Sequence, residues 1–570
     1  MRDKRRRFTP HHSACFFWFF AFAPLVALLA CREQAGGATT DESPPPARHI
    51  PLDVKQNAEM PVPTAGQKKT KAPPDQLVVS RVSQLEDLDL SRLTTLDLAL
   101  SIPDSYEYPE HELRLDDTAP LSGPEAQAQR CQGLDLVALA RQTPRLHTLR
   151  ISGCQTAVHV GLGAFGRRLL EIELADLNLD GMTVARLVQL VNLKKLTLTR
   201  VNPEAVSYSP LTRTLPISHL TLRELNRDSV LADLLGDLPG LTHAKLEGAW
   251  AGHRAMLSLA KASRLESLTL VETSIGNFSL NRIRALTHLR KVDWTGSNFN
   301  NNSPIYLRDL SVEHFRCSCP RFGDGGLRIL RLSSKLRRID LLKSQISGAG
   351  LNSLTDLKNL ETLHIGYREV DEQTFEALAK IKSLRRLHLE GGPLIDPEAK
   401  RLGELIGLEN LTLDLSSFDD RAAPQLATLI NLRSLDLGHT RISDVGLASL
   451  KTLTQLEDLR LHHTQITNRG ISNISGLTKL RRLELDHTDL VDAGVSHLAK
   501  LVHLQDLRLD ATLITDASID SLAGLHELTH LNLANTVVSD AALPRLRLLP
   551  SLRALNLEGT RVRGQTNRKR

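Results

Sequence analysis

Three histidines near the C-terminal end of the chain recur at intervals of 24 residues: His439, His463 and His487. His462 and Asp486 stand beside them. Imidazole binds transition metals and titrates near neutral pH, so histidines brought side by side could share a metal ion or act together as an acid sensor. A solvated surface gives the same pattern, and the chain holds 21 histidines in all. We predict a solvated face and no metal site, because the spacing shows no cysteine and no acidic second shell.

Charged residues follow the same interval, and their sign alternates. One column holds Asp436, Arg460, Glu484 and Arg508, and a second holds Asp458, Arg482 and Asp506. Alternation keeps like charges apart on a solvated surface, where exposed ion pairs are individually weak. Arginine is also enriched at the energetic centres of protein interfaces. These seven residues and the three histidines are therefore our candidate binding residues for a protein partner.

The cysteines of the body of the chain offer little chemistry. Cys131 and Cys154 could form a disulfide, as export would allow, or could be two buried thiols. Cys317 and Cys319 fall on the sixth and eighth positions of the repeat described below. We interpret them as repeat substitutions, because no second cysteine pair completes a metal site.

One enzyme motif is present by its letters alone, Gly161-x-Gly163-x-x-Gly166. The dinucleotide-binding fingerprint needs a strand directly before it and a helix directly after it. Here about ten residues separate the motif from the preceding predicted strand, and another predicted strand follows at Leu169. We predict no catalytic residue and no cofactor.

The interval of 24 residues belongs to an internal repeat that organises most of the chain. The frame runs from 146 to 562 in about eighteen units, for example those starting at Leu432 and Leu456. Leucines at the fourth and sixth positions alternate as in a strand, and those at positions sixteen, nineteen and twenty-two have helical spacing. Ser443 and Asp444 precede the helical part of their unit, where a side-chain oxygen caps free N–H groups and a carboxylate favours the helix N-terminus. Each unit is predicted to be a short strand followed by an amphipathic helix.

The unit L-x-x-L-x-L-x-x-T-x-I-[ST]-D-x-G resembles the ribonuclease-inhibitor-like leucine-rich repeats, in a form found in F-box adaptor proteins and many bacterial repeat proteins. The resemblance implies an α/β solenoid, a leucine-rich-repeat horseshoe with a parallel β-sheet on the concave face and helices on the convex face. Side chains at the third, fifth, seventh and eighth positions would then face the concave surface. Function in such scaffolds depends on the side chains of one face, so the repeat itself does not define a ligand.

Residues 1–30 have the layout of a signal peptide, with basic residues followed by an apolar stretch from Cys15 to Ala30. Leu28-Leu29-Ala30-Cys31 resembles a bacterial lipobox, which implies that Cys31 becomes the acylated first residue of the mature protein. An ordinary signal peptide and an uncleaved anchor remain alternatives. Arg32 is not the acidic residue associated with inner-membrane retention, which favours the outer membrane or the cell surface.

The rest of the chain divides by composition. Residues 31–78 are rich in proline and poor in large apolar side chains, which predicts a disordered tether. Residues 79–145 carry degraded repeats and an insertion, which predicts an N-terminal cap. Residues 563–570 form a basic tail.

Charge and aromatic content argue against a nucleic-acid partner. The net charge is +6, of which the five basic and one acidic side chains of residues 1–30 contribute +4. The remainder carries no broad basic surface, and seven of the 21 aromatic residues lie at or before residue 22. We expect a membrane-tethered scaffold of the cell envelope that binds a protein through its concave face. The alternatives are an F-box-like ubiquitin-ligase adaptor or secreted effector, and an architectural envelope spacer.

Overall fold

The computed structural model describes residues 76–78, 95–98, 131, 134–226, 229–296, 298–366, 372–390 and 398–563. The predicted signal peptide, the predicted lipidation site Cys31 and much of the predicted N-terminal cap lie outside these residues. No described helix is long and apolar enough to cross a membrane.

The described repeats form one parallel sheet of 20 strands, in which each strand pairs with the strand of the next unit. The strands of the main sheet are β1 Gln76–Val78, β2 Thr95–Leu98, β3 Thr148–Ser152, β4 Glu171–Ala175, β6 Lys195–Thr199, β8 His219–Arg223, β9 His243–Glu247, β10 Ser267–Val271, β11 Lys291–Thr295, β12 His314–Ser318, β13 Arg338–Leu342, β14 Thr362–Gly366, β15 Arg386–Glu390, β16 Asn410–Thr412, β17 Ser434–Asp436, β18 Asp458–Arg460, β19 Arg482–Glu484, β20 Asp506–Arg508, β21 His530–Asn532 and β22 Ala554–Asn556. Two short strands, β5 Asn178–Leu179 and β7 Asn202–Pro203, form a separate pair. The sheet thus includes Gln76–Val78, which composition had placed at the end of the tether.

Helical segments connect successive strands. The α-helices are Leu136–Gln142, Gln155–Gly161, Gly181–Val188, Ser209–Thr214, Leu234–Asp237, His253–Leu259, Asn277–Leu280, Asp324–Leu330, Gly348–Leu351, Glu372–Lys380, Asp444–Leu447, Asn468–Ile471, Asp492–Val495, Ile519–Leu522 and Leu543–Leu546. The 3₁₀ segments are Leu162–Phe165, Val230–Asp233, Asn281–Ala285, Ser303–Leu307, Asn352–Asp356, Glu398–Glu404, Ala423–Thr428, Ala448–Thr452, Ser472–Ile474, Ser496–Lys500, Asp516–Ser518 and Asp540–Ala542. In the C-terminal units the predicted amphipathic helix is therefore a single α-helical turn joined to a 3₁₀ turn.

The hydrophobic core lies between the sheet and the helical segments. The repeat leucines fill it, and Leu435, Leu459 and Leu483 are fully buried at the fourth position of their units. Trp294 and Phe315 add an edge-to-face aromatic contact with centroids 5.2 Å apart. Each unit buries its apolar side only by packing on its neighbours, as in repeat proteins generally. The structure is the α/β solenoid of the horseshoe type that the repeat pattern implied.

An aspartate at the start of the helical segment links most C-terminal units to the next, and Asn468 takes this place in one of them. The Asp444 carboxylate accepts hydrogen bonds from the backbone N–H of Thr467, at 2.8 Å, and from its hydroxyl, at 2.6 Å. Asp492 accepts the same two bonds from Thr515, at 2.7 and 2.6 Å. The capping oxygen of Ser443 accepts from the N–H of Val445 within its own unit. We call these contacts between units the aspartate ladder. They add to the predicted role, since Asp444 and Asp492 also place their charge in the first turn of the helical segment.

Candidate functional site

The strands of the C-terminal units bring the predicted charged columns together. Register pairs Asp436 with Arg460, Arg460 with Glu484, and Glu484 with Arg508 on consecutive strands β17 to β20. Alternate side chains of these strands are the buried leucines, so the charged side chains lie on the opposite face of the sheet. We call this surface the charged face: Asp436, Asp458, Arg460, Arg482, Glu484, Asp506 and Arg508.

Arg460 is the centre of the ion pairs on the charged face. Its Nη1 lies 3.6 Å from Asp436 Oδ2, and its Nη2 lies 3.3 Å from Asp458 Oδ2. Its Nε lies 3.8 Å from Glu484 Oε1. Three carboxylates share this guanidinium, and they raise the pKa of Arg460 against the opposing effect of burial, which is the largest single influence.

Glu484 is buried, although its position in the unit predicted an exposed side chain. The side chain is 8% exposed, with Arg460 on one side and Arg508 Nε 3.7 Å away on the other. Burial raises the pKa of the Glu484 carboxyl, and the two arginines offset this only in part. The long flanking side chains cover a carboxylate that a strand alone would expose.

Two arginines of the charged face keep a large accessible surface. The side chain of Arg482 is 42% exposed and pairs with Asp506 at 3.3 Å, and that of Arg508 is 47% exposed. Their guanidinium groups can donate further bidentate hydrogen bonds to an incoming carboxylate or carbonyl group. The chemistry available on this face is thus recognition of a polar surface.

The predicted histidine column forms a stack at the ends of the strands. The rings of His439 and His463 are 4.2 Å apart, and those of His463 and His487 are 4.0 Å apart. All three residues have a left-handed backbone, with φ between 51° and 53°. Ala511 and Asn535 adopt the same conformation in the next two units, so the turn and not the histidine requires it.

His462 and the carboxylate of Asp486 complete this group, which we call the histidine cluster: His439, His462, His463, Asp486 and His487. Asp486 Oδ2 lies 3.3 Å from His487 Nδ1 and 4.0 Å from His463 Nδ1. The structure therefore places an acidic side chain beside the histidines, whereas the spacing had led us to expect none. Burial, followed by the adjacent His487 and His439, lowers the pKa of His463 below its ordinary value.

The cysteine pairs differ from expectation in one case. The structure joins Cys131 and Cys154 in a disulfide with Cα atoms 5.6 Å apart. It also joins Cys317 and Cys319, which we had interpreted as independent repeat substitutions. Cys319 is fully buried, so the eighth position does not face the concave surface in this unit.

The glycine motif at Gly161 lies in a helical connection. It spans the end of the helix Gln155–Gly161 and the 3₁₀ segment Leu162–Phe165, and strand β4 begins five residues after Gly166. A Cβ at Gly161 would overlap Leu136, which gives that glycine a packing role. The strand-then-helix context of a dinucleotide site does not occur here.

Sequence reasoning missed a third charged column, at the second position of nine consecutive units. Its members alternate in sign over nine units: Arg290, Glu313, Arg337, Glu361, Arg385, Glu409, Arg433, Glu457 and Arg481. Neighbours pair in twos, with Arg337 Nη1 2.8 Å from Glu361 Oε1 and Arg433 Nη1 2.6 Å from Glu457 Oε1. The alternation was visible in the aligned repeats and could have been found there.

The repeats match a known family. The leucine-rich-repeat family model matches residues 430–490, which include strands β17 to β19. The match identifies leucine-rich repeats in this segment, and the same parallel strands and buried leucines continue through the other described units. No curated protein matches the sequence.

Several solved structures are similar to this chain. An internalin, InlF, of Listeria monocytogenes is 19% identical, with 65% of this chain and 88% of that chain covered and a TM-score of 0.33. Internalin C2 of the same species is 28% identical, with 37% and 84% covered and a TM-score of 0.30. A leucine-rich-repeat protein of Leptospira interrogans is 18% identical, with 71% and 93% covered and a TM-score of 0.40. These TM-scores are low, so the fold assignment rests on the chain's own repeats.

Proposed function

We propose that this protein is an exported scaffold, tethered to a membrane of the cell envelope through acylated Cys31, that binds a protein partner on its charged face. The observation that carries the proposal is the accessible arginine surface on strands β18 to β20. Arg482 and Arg508 remain 42% and 47% exposed although both have carboxylate neighbours. Arginine at the centre of a surface poor in aromatic residues is suited to binding a carboxylate-bearing protein surface.

The anchor is inferred from the lipobox-like residues before Cys31 and from the apolar stretch that precedes them. A single acyl chain binds membranes weakly, whereas two or more give stable anchoring. The proline-rich segment after Cys31 has the composition of a spacer between an anchor and a folded body. The outer membrane or the cell surface is the location we propose.

Two other functions remain as alternatives. An F-box-like adaptor would carry a helical docking module of about forty residues before the repeats, and the proline-rich composition there does not favour it. An architectural spacer would need the repeats but no partner. The exposed guanidinium groups of Arg482 and Arg508 favour binding over the spacer, because a spacer needs no exposed donors for a partner.

Photo-crosslinking from the charged face tests the proposal. We would replace Arg482 with a photo-crosslinking amino acid in the full-length chain and irradiate intact cells. The matched control carries the same amino acid at Lys479, which is exposed in the loop just before β19. We expect a defined protein adduct from position 482 and none from position 479. Absence of an adduct at 482, or equal adducts from both positions, would contradict binding on the charged face.

A further inference from the structure

The histidine cluster has the donor set of a transition-metal site. One candidate nitrogen from each of His439, His462 and His463 lies within 4.8 Å of the other two. A second triad, His463, Asp486 and His487, meets the same limit. Imidazole and carboxylate are ligands that zinc and neighbouring divalent metals accept, and three protein ligands leave a position for water. His463 belongs to both triads.

The surroundings of His462 are shaped to hold its ring. Gly438 holds the equivalent position in the preceding unit, and a Cβ there would overlap the His462 imidazole. The seventh position carries a larger side chain in the next units, Asp486 and Asp510. The glycine therefore opens the space that lets His462 lie against the ring of His439, with centroids 5.0 Å apart.

Two carboxylates lie close to the histidines of the cluster. Asp436 Oδ1 lies 4.0 Å from His462 Nε2, and Asp486 Oδ2 lies 4.0 Å from His463 Nδ1. These distances are longer than a hydrogen bond, and at this range the carboxylates favour a bound cation through their charge. Both aspartate side chains are nearly buried, at 13% and 14% exposed, whereas His463 is 39% exposed and open to an ion from solvent.

We propose that the histidine cluster binds one divalent transition-metal ion of the zinc class, centred on His463. A second histidine pair in the same sheet stacks in the same way but lacks a third metal-binding side chain. His219 and His243 also stack, with centroids 4.1 Å apart, but their Nδ1 atoms are engaged by the hydroxyls of Ser218 and Thr242. The pair does not belong to any group of three metal-binding side chains found in the described residues. It provides a natural control.

The test uses untagged full-length protein stripped with a chelator and titrated with Zn²⁺ against a chromogenic competitor. A parallel titration with Co²⁺ follows the visible absorption of a tetrahedral complex. His463→Asn removes the shared imidazole, and Asn535 shows that asparagine fits the same backbone turn. His243→Asn is the control, and Gly438→Ala displaces His462 without removing a ligand.

We expect His463→Asn to lose one equivalent of Zn²⁺ and the Co²⁺ absorption relative to wild type. Gly438→Ala should weaken binding by at least about 10-fold, since displacing the ligand His462 costs no less than an outer-shell change does. His243→Asn should bind as wild type does. The readout is the difference from wild type, so an ion held at His364, His388 and Glu390, another group within 4.8 Å, does not affect it. Equal stoichiometry in wild type and His463→Asn would overturn the proposal, as would a wild-type protein that does not compete with the chromogenic chelator.

Discussion

At the scale of single residues, Glu484 carries the least expected feature of the charged face. The sequence predicted its column, its register and the sign of its neighbours, because a period of 24 places equivalent residues on adjacent strands. The sequence did not predict that the Glu484 side chain is buried. Burial depends on how the side chains of Arg460 and Arg508 lie over the carboxylate, and the repeat spacing contains no information about side-chain conformation.

Replacing Glu484 with Gln should raise the free energy of unfolding at neutral pH or leave it unchanged. The folded state raises the pKa of this carboxyl, so it favours the neutral form that glutamine imitates. Below the pKa that Glu484 has in the unfolded chain, its carboxyl is protonated in both the folded and the unfolded state. The wild type and the glutamine variant should therefore be equally stable at that pH. The glutamine variant should gain its advantage as pH rises through the folded pKa. Thermal melting from pH 3 to pH 7 measures this.

The control is Arg508→Ala, which uncovers the carboxylate and removes one of its partners. We expect it to lower stability at neutral pH by up to about 1 kcal/mol, since the Glu484 carboxylate loses an ion pair at 3.7 Å with a half-exposed arginine. A Glu484→Gln protein that melts well below wild type at pH 7 would show that the ion pairs outweigh burial.

At the scale of elements, the aspartate ladder explains how short helical turns stay in register. The sequence indicated where each turn begins, from the serine or threonine followed by aspartate. It could not show that the carboxylate reaches the next unit, because a one-dimensional pattern does not distinguish a contact within a unit from one between units. It also overestimated helix length, since the leucine spacing that predicts an α-helix is satisfied equally by an α-turn followed by a 3₁₀ turn.

Asp492→Ala should destabilise the protein by about 1.5–3 kcal/mol, the range for hydrogen bonds to a charged group. Burial would raise the pKa of Asp492, but hydrogen bonds from Ser518 and Thr515 outweigh it and the pKa is lowered. The stabilisation is therefore present above the unfolded pKa and should be lost as pH falls through the lower folded pKa. Chemical denaturation at pH 7 and pH 3 measures both. Asp520→Ala, at an exposed ion pair with Arg545, is the control and should change stability little; equal losses in the two variants would contradict the ladder.

At the scale of the whole molecule, the repeats account for the fold. The proposed function depends on the charged face and on the proposed lipid anchor at Cys31. The solenoid was predictable because each unit repeats the same buried leucines, so about eighteen copies of one weak signal reinforce each other. The histidine cluster was only partly predictable. Its column follows from the spacing, but the contribution of Gly438 and the approach of Asp486 depend on three-dimensional packing.

The anchor makes a separate prediction. Cys31→Ala should release the protein from the membrane fraction or leave its precursor unprocessed, because the acyl chains supply the binding free energy. Fractionation of cells expressing wild type and variant, followed by the mass of the mature N-terminus, measures this. Cys15→Ala is a control that keeps the apolar stretch and leaves the lipobox intact, and it should stay in the membrane fraction. If the Cys31 variant fractionates as wild type does, the protein is not anchored by a lipid on that residue.

The central claim is that the charged face binds a protein, and the affinity for the crosslinked partner tests it most directly. One variant combines Arg460→Ala, Arg482→Ala and Arg508→Ala with Glu484→Gln, so that no buried carboxylate is left without its arginines. The control replaces three exposed lysines of other surfaces by Ala: Lys451, Lys479 and Lys500. Both proteins should melt close to wild type. We predict that the charged-face variant binds at least about 30-fold more weakly, the equivalent of about 2 kcal/mol for a group of interface hot spots, and that the lysine variant binds normally. Equal affinities for the two folded variants would contradict recognition by this face.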